Sequence, residues 1–101
     1  MTVNSSLHSD SNQLIISIDE RFDFSLHQQF RDCYSQVQQK GLEYILDLSK
    51  TKYMDSSALG MILLLKDHVE MYASTLTIQN PSDTVSKILE IAQFHRLMTI
   101  K

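Results

Sequence analysis

Between Leu42 and Tyr72 the chain runs from an apolar strand, through a polar loop, straight into an apolar helix. Leu42 to Leu48 is an apolar run of strand length rich in aliphatic side chains. From Ser56 to about Tyr72 the residues Leu59, Met61, Ile62, Leu63, Leu64 and Leu65 predict a firmly anchored helix. A strand that passes into a helix is one half of a βαβ unit. Such units, repeated, imply a mainly parallel sheet with right-handed crossovers.

The flanking sequence continues the alternation. Residues 3–8 are polar apart from Val3 and Leu7 and suit either an edge strand or a disordered tail. Ser9-Asp10-Ser11-Asn12 reads as a turn, and Leu14 to Ile18 as a strand, so the first two segments are expected to form an antiparallel hairpin. Asp19 to Phe24 reads as a loop. Ser25 is then expected to cap a helix reaching about Lys40, because Leu26, Phe30, Cys33, Tyr34 and Val37 recur at spacings of three and four. Gly41 would end that helix. Thr75 to Gln79 alternates as a strand, Asn80 to Asp83 turns, and Val85, Ile88, Leu89 and Ala92 define a last helix. Leu97 to Ile100 would close the order β-β-α-β-α-β-α-β. The expected fold is one α/β domain over residues 1–101. It has a mixed, mostly parallel sheet of four to five strands, with helices packed mainly on one face.

The loop before the central helix ends in Asp55-Ser56-Ser57. An aspartate there is a good N-cap, since its carboxylate accepts free N–H groups of the first turn. Ser56 and Ser57 are thereby left on an exposed first turn, beside a fixed negative charge. Aspartate and serine are favoured at any helix start, so the residue types alone do not make a site. Three features argue for one. Two serines follow the cap where one would serve, the helix behind them is apolar enough to hold the tip rigid, and the tip follows the C-terminal end of a strand, where open α/β sheets place their sites. An accessible, rigidly held hydroxyl in a charged setting suits a phosphorylation switch.

Other function classes lack their residues. A net charge of −3 without a lysine or arginine cluster argues against nucleic acid or an anionic membrane as partner. No segment is long and apolar enough for a membrane span, and no signal peptide is evident, so a cytoplasmic location is expected. Cys33 is the single cysteine and lies on an apolar stripe, as a packed thiol would. His8, His27, His68 and His95 are scattered, without companions at metal-ligand spacing. Met54, Met61, Met71 and Met98 are expected mostly in the core, with Met54 also placed to meet a partner. The nucleophile-elbow pattern and phosphate-cradling glycine loops are both missing, so no enzymatic activity, cofactor or metal is expected.

At this point the chain resembles the STAS domain family, specifically the bacterial anti-sigma factor antagonists. The likeness spans nearly the whole chain. It rests on Leu46-Asp47-Leu48-Ser49 at the strand end, on Tyr53-Met54-Asp55-Ser56-Ser57-Ala58-Leu59-Gly60 at the loop and helix start, and on Phe22-Asp23 in the earlier loop. The resemblance implies that Ser56 is the phosphorylated residue and that Asp23 and Asp55 are acidic groups flanking it. Ser57, Met54 and Ala58 would complete the partner-binding surface. It further implies a protein that binds an anti-sigma factor or related regulator when Ser56 is unphosphorylated and releases it when phosphorylated. A serine kinase and a serine phosphatase would be partners, and any ATP or metal would belong to them. An alternative within the same family is a subunit of a membrane lipid-transport complex that docks an ATPase through the same helix tip without phosphorylation. Two positions depart from the family pattern: Ala58 and Glu20 stand where glycine is frequent. Alanine suits a helix better, and Glu20 adds charge near the partner surface.

Overall fold

Buried and part-exposed residues alternate strictly along Gln13–Ile18 (β2), with Leu14, Ile16 and Ile18 inward, as expected of a strand with one face in the core. The computed structural model describes residues 3–101. Val3–His8 (β1) pairs antiparallel with β2, His8 opposite Gln13, through a turn in which Asn12 takes positive φ and the Ser11 N–H donates to the His8 carbonyl. Glu43–Asp47 (β4), Thr75–Gln79 (β6) and Thr99–Ile100 (β7) then add in parallel, giving the order β1-β2-β4-β6-β7. The hairpin and the mixed, mostly parallel five-stranded sheet are as the sequence predicts.

The strand order explains where the helices lie. From β2 the sheet grows in one direction only, so right-handed crossovers all fall on the same face. The connecting helices are His27–Asp32 (α1), Ser56–Met71 (α2) and Asp83–Ile91 (α3). Phe30 of α1, Ile62 and Leu65 of α2 and Val85 and Leu89 of α3 join Ile16, Tyr44, Leu46 and Ile78 of the sheet in one core. The opposite face carries the row Ser6, Ile15, Ile45, Thr77 and Thr99 and, among the described residues, has no helix against it. Buried Thr51 pins the loop after β4: its hydroxyl donates to the Ile18 carbonyl, while its own carbonyl accepts from the Ser82 hydroxyl.

Five expectations need correction. The first helix stops at Asp32 instead of Lys40, and a 3-10 turn over Phe24–Leu26 precedes it. Beyond Asp32 i to i−3 hydrogen bonds enter, Tyr34 N–H to Arg31 and Val37 N–H to Tyr34, around one last i to i−4 bond from Ser35 N–H to Arg31. The Val37 carbonyl lies 2.7 Å from His68 Nε2 on α2, so a tertiary contact overrides the helical pattern. The cap is Asp23, and Ser25 is the residue that donates to it. Gly41, at φ +74°, donates its N–H to the Tyr72 carbonyl and closes the approach to β4 instead of ending a helix. The region expected as a loop contains Arg21–Phe22 (β3), which pairs in parallel with Tyr53–Met54 (β5) as a second, two-residue ladder. Met71 is 72% exposed and outside the core.

Candidate functional site

The small β3–β5 ladder builds the site. Phe22 and Met54 are register partners, and both side chains are buried under the helix layer. Hydrogen bonds continue on either side: the Glu20 carbonyl accepts from Lys52 and Tyr53 N–H, and the Phe22 carbonyl from Asp55 N–H at 3.4 Å. Two apolar anchors therefore hold two strand ends together, and the next residue on each strand is an aspartate.

Both aspartates are in extended backbone, and each caps the helical turn after it. Asp55 Oδ1 accepts the Ala58 N–H at 3.0 Å at the start of α2. Asp23 Oδ1 accepts the Ser25 N–H at 3.0 Å and the Ser25 hydroxyl at 2.5 Å. Arg21 Nε also donates to Asp23 Oδ2 at 3.4 Å, and its guanidinium lies over the Tyr53 ring, 4.6 Å from the centroid. The Ser25 hydroxyl is the main cause that holds the Asp23 carboxyl below its ordinary value of 3.8; desolvation, next in size, opposes it, and the Ser25 N–H and Arg21 add to the lowering. Asp23 is thus a fixed anion near the surface.

Ser56 is exposed on the first turn of α2, and Ser57 beside it is half-buried. The sequence expectation of an accessible Ser56 near Asp55 agrees with this geometry, and the ladder brings Asp23 to the same edge. Met54 and Ala58 need correction as partner contacts. Met54 is 2% exposed because it anchors the ladder, and Ala58 is fully enclosed because it faces the core from the first turn of α2. They support the surface from beneath. In their place two aromatic residues unforeseen as site residues border the acidic edge. Phe24, 66% exposed, follows Asp23 and stacks on His27 at 5.2 Å; Tyr53, also exposed, carries Arg21 on its face. A sequence signal for Phe24 did exist: an aromatic residue lying on neither the strand nor the helix pattern around it.

An α2 start of this kind tolerates added negative charge, because free N–H groups and the helix dipole favour an anion there. A protein surface lying on the same edge would meet two carboxylates, an aromatic rim and the Ser56 hydroxyl together.

Fold and site together define a class: the STAS domain model matches residues 4–101, and the chain belongs to that family. A STAS-domain containing protein of Pseudomonas aeruginosa is 42% identical over 100 residues, covering 99% of both chains. Among solved structures, an anti-sigma-factor antagonist (STAS) domain protein from Planctomyces limnophilus superposes with a TM-score of 0.83 at 10% identity, over 99% of this chain and 89% of that one. The Bacillus cell fate determinant SpoIIAA in its phosphorylated form superposes at 0.74 with 20% identity, over 99% and 91%.

Proposed function

We propose that this protein is a phosphorylation-controlled partner switch, an anti-sigma factor antagonist in mode of action, with Ser56 as the acceptor. The observation that carries this reading is the placement of Ser56: exposed, on the first turn of a helix capped by Asp55, at an edge where the β3–β5 ladder also delivers Asp23. Support comes from the likeness to structures of anti-sigma factor antagonists, among them SpoIIAA in its unphosphorylated and phosphorylated forms.

In this reading the unphosphorylated edge binds an anti-sigma factor or related regulator. A serine kinase adds phosphate to Ser56 and a serine phosphatase removes it. The protein acts by binding, in the cytoplasm, and performs no catalysis. Phosphate brings about −1.5 to −2 charges to a place where the free domain accommodates an anion. In the complex the same dianion would be buried beside Asp23 and Asp55, at a cost of several kcal/mol unless a cation meets it. The domain stays folded while its interface fails.

The test is phosphorylation by the cognate kinase followed by intact-mass analysis and a pull-down. One added phosphate, lost in Ser56→Ala, together with release of the regulator, supports the reading. Retention of the phosphate in Ser56→Ala but not in Ser57→Ala would move the site by one residue.

A further inference from the structure

We propose that the outer edge of β1 pairs with β1 of a second copy of this chain, in a two-fold antiparallel arrangement centred on Ser5. β1 is bonded on one side only, to β2, and forms the end of the five-stranded sheet. Edge strands are ordinarily protected by charge, proline, a bulge or a covering element. Val3–His8 has none of these: no lysine, acid or proline interrupts it, its register with β2 is unbroken, and Asn4 to His8 are all exposed.

Register selects the partner. Val3, Ser5 and Leu7 pair with Ile18, Ile16 and Leu14, all core residues, so they share the helix-bearing face. Val3 packs against the core, but Leu7 is 53% exposed. A two-fold axis perpendicular to the sheet at Ser5 sets Ser5 against its own copy and Leu7 against Val3 of the other chain, twice. Both copies keep their helices on the same side of one continuous sheet. An axis at Ser6 would instead place Leu7 opposite Ser5 and leave both apolar groups without apolar mates. The strand between Val3 and Leu7 is uncharged, so no like-charge contact opposes self-pairing.

The association is weak by area. Six residues span about 20 Å, and a ladder of that length buries well under the roughly 1,200 Å² of standard interfaces. The pairing therefore belongs to concentrated protein, and it leaves the Ser56 edge out of the contact.

Two measurements on the full chain test it. Sedimentation velocity from about 10 µM to 1 mM should show a monomer–dimer equilibrium that Leu7→Lys weakens at least tenfold. In a Cys33→Ser background, oxidation of Ser5→Cys should give a disulfide-linked dimer, because residues directly opposed in an antiparallel pair have Cα separations of about 4.5–5.5 Å, inside the disulfide range. Ser6→Cys, equally exposed but off the axis, should stay monomeric. A wild type monomeric throughout the range, or equal cross-linking at Ser5 and Ser6, would overturn the proposal.

Discussion

Asp23 and Asp55 stand side by side, one residue beyond the Phe22–Met54 pair, and each caps the turn after it. The family resemblance implies that these residues, 32 positions apart, flank Ser56; two buried side chains on a two-residue ladder supply the physical reason. The consequence is an acidic edge whose carboxylates are already committed to backbone N–H groups. They are held in place and keep their charge facing whatever approaches Ser56.

Removing the α2 cap should cost stability. Asp55→Ala leaves the Ala58 N–H without its acceptor, which is worth about 1 kcal/mol in measured N-caps. For a domain of this size that lowers Tm by roughly 4–8 °C. Asp55→Asn keeps a side-chain acceptor and should lie near wild type. Thermal melts of the three proteins decide it, and an Asp55→Ala melt equal to wild type would show that the cap contributes little to the fold.

Asp23 should titrate below 3.8, with Ser25 as the main cause. A carboxyl whose folded value is depressed adds stability above its ordinary value, and that contribution is lost as pH falls through the depressed folded value. Ser25→Ala removes the hydroxyl donor while leaving the backbone N–H, so the Asp23 value should move up toward 3.8. Carboxyl carbon NMR titration reads this directly; an unmoved value in Ser25→Ala would shift the cause to Arg21.

Tyr44 offers a test of the core. Its ring is fully buried, and its hydroxyl has no hydrogen-bond partner among the described residues. A buried polar group without a partner costs free energy. Tyr44→Phe should therefore leave stability unchanged or raise it by up to about 1 kcal/mol. Denaturant unfolding checks this, and a clear loss would show that the hydroxyl is bonded in solution.

Much of this architecture is legible in the sequence because each element carries its own signal. Leu14 to Ile18 alternates, Val85, Ile88 and Leu89 keep helical spacing, and Asp55 precedes an apolar run. The misreadings have a different origin. Cys33, Tyr34 and Val37 do continue the helical stripe of α1, but the His68 contact to the Val37 carbonyl is tertiary and invisible in local periodicity. The β3–β5 ladder is two residues long and too short for any pattern to mark. That ladder decides the site: Ser56, Asp55 and a core place for Met54 are readable from local pattern, while Phe24 carries only the faint signal of an aromatic outside the strand and helix patterns. Ala58 looked like surface because it adjoins the serines; the helix's step of about 100° per residue turns it inward.

Gly60 lies one turn beyond Ser56, exposed inside α2, and a Cβ built there meets nothing within 4 Å beyond its chain neighbours and the adjacent helix backbone. Nothing in the fold requires glycine at this place. Gly60→Ala should stabilise the domain by about 0.5–1 kcal/mol through helix propensity. If the regulator packs closely on this turn, the same methyl should weaken its binding. A higher Tm with unchanged partner affinity would show that no backbone approaches Gly60.

The sharpest prediction concerns Ser56, where two effects oppose each other. In the free domain, the α2 start favours negative charge by roughly 0.3–1 kcal/mol. In a complex, Asp23, Asp55 and desolvation oppose it. Ser56→Asp should therefore leave the melting temperature of the free domain nearly unchanged while lowering affinity for the regulator at least tenfold, about 1.4 kcal/mol or more. Aspartate carries about one charge against the −1.5 to −2 of phosphate, so it should be the weaker of the two. Ser56→Ala, small and neutral, should bind. Calorimetric titration against the purified regulator, with melts of each variant alone, separates the terms. An aspartate variant that binds like wild type counts against electrostatic exclusion. One that fails to bind because it is unfolded makes Ser56 a structural residue, and the switch loses its acceptor.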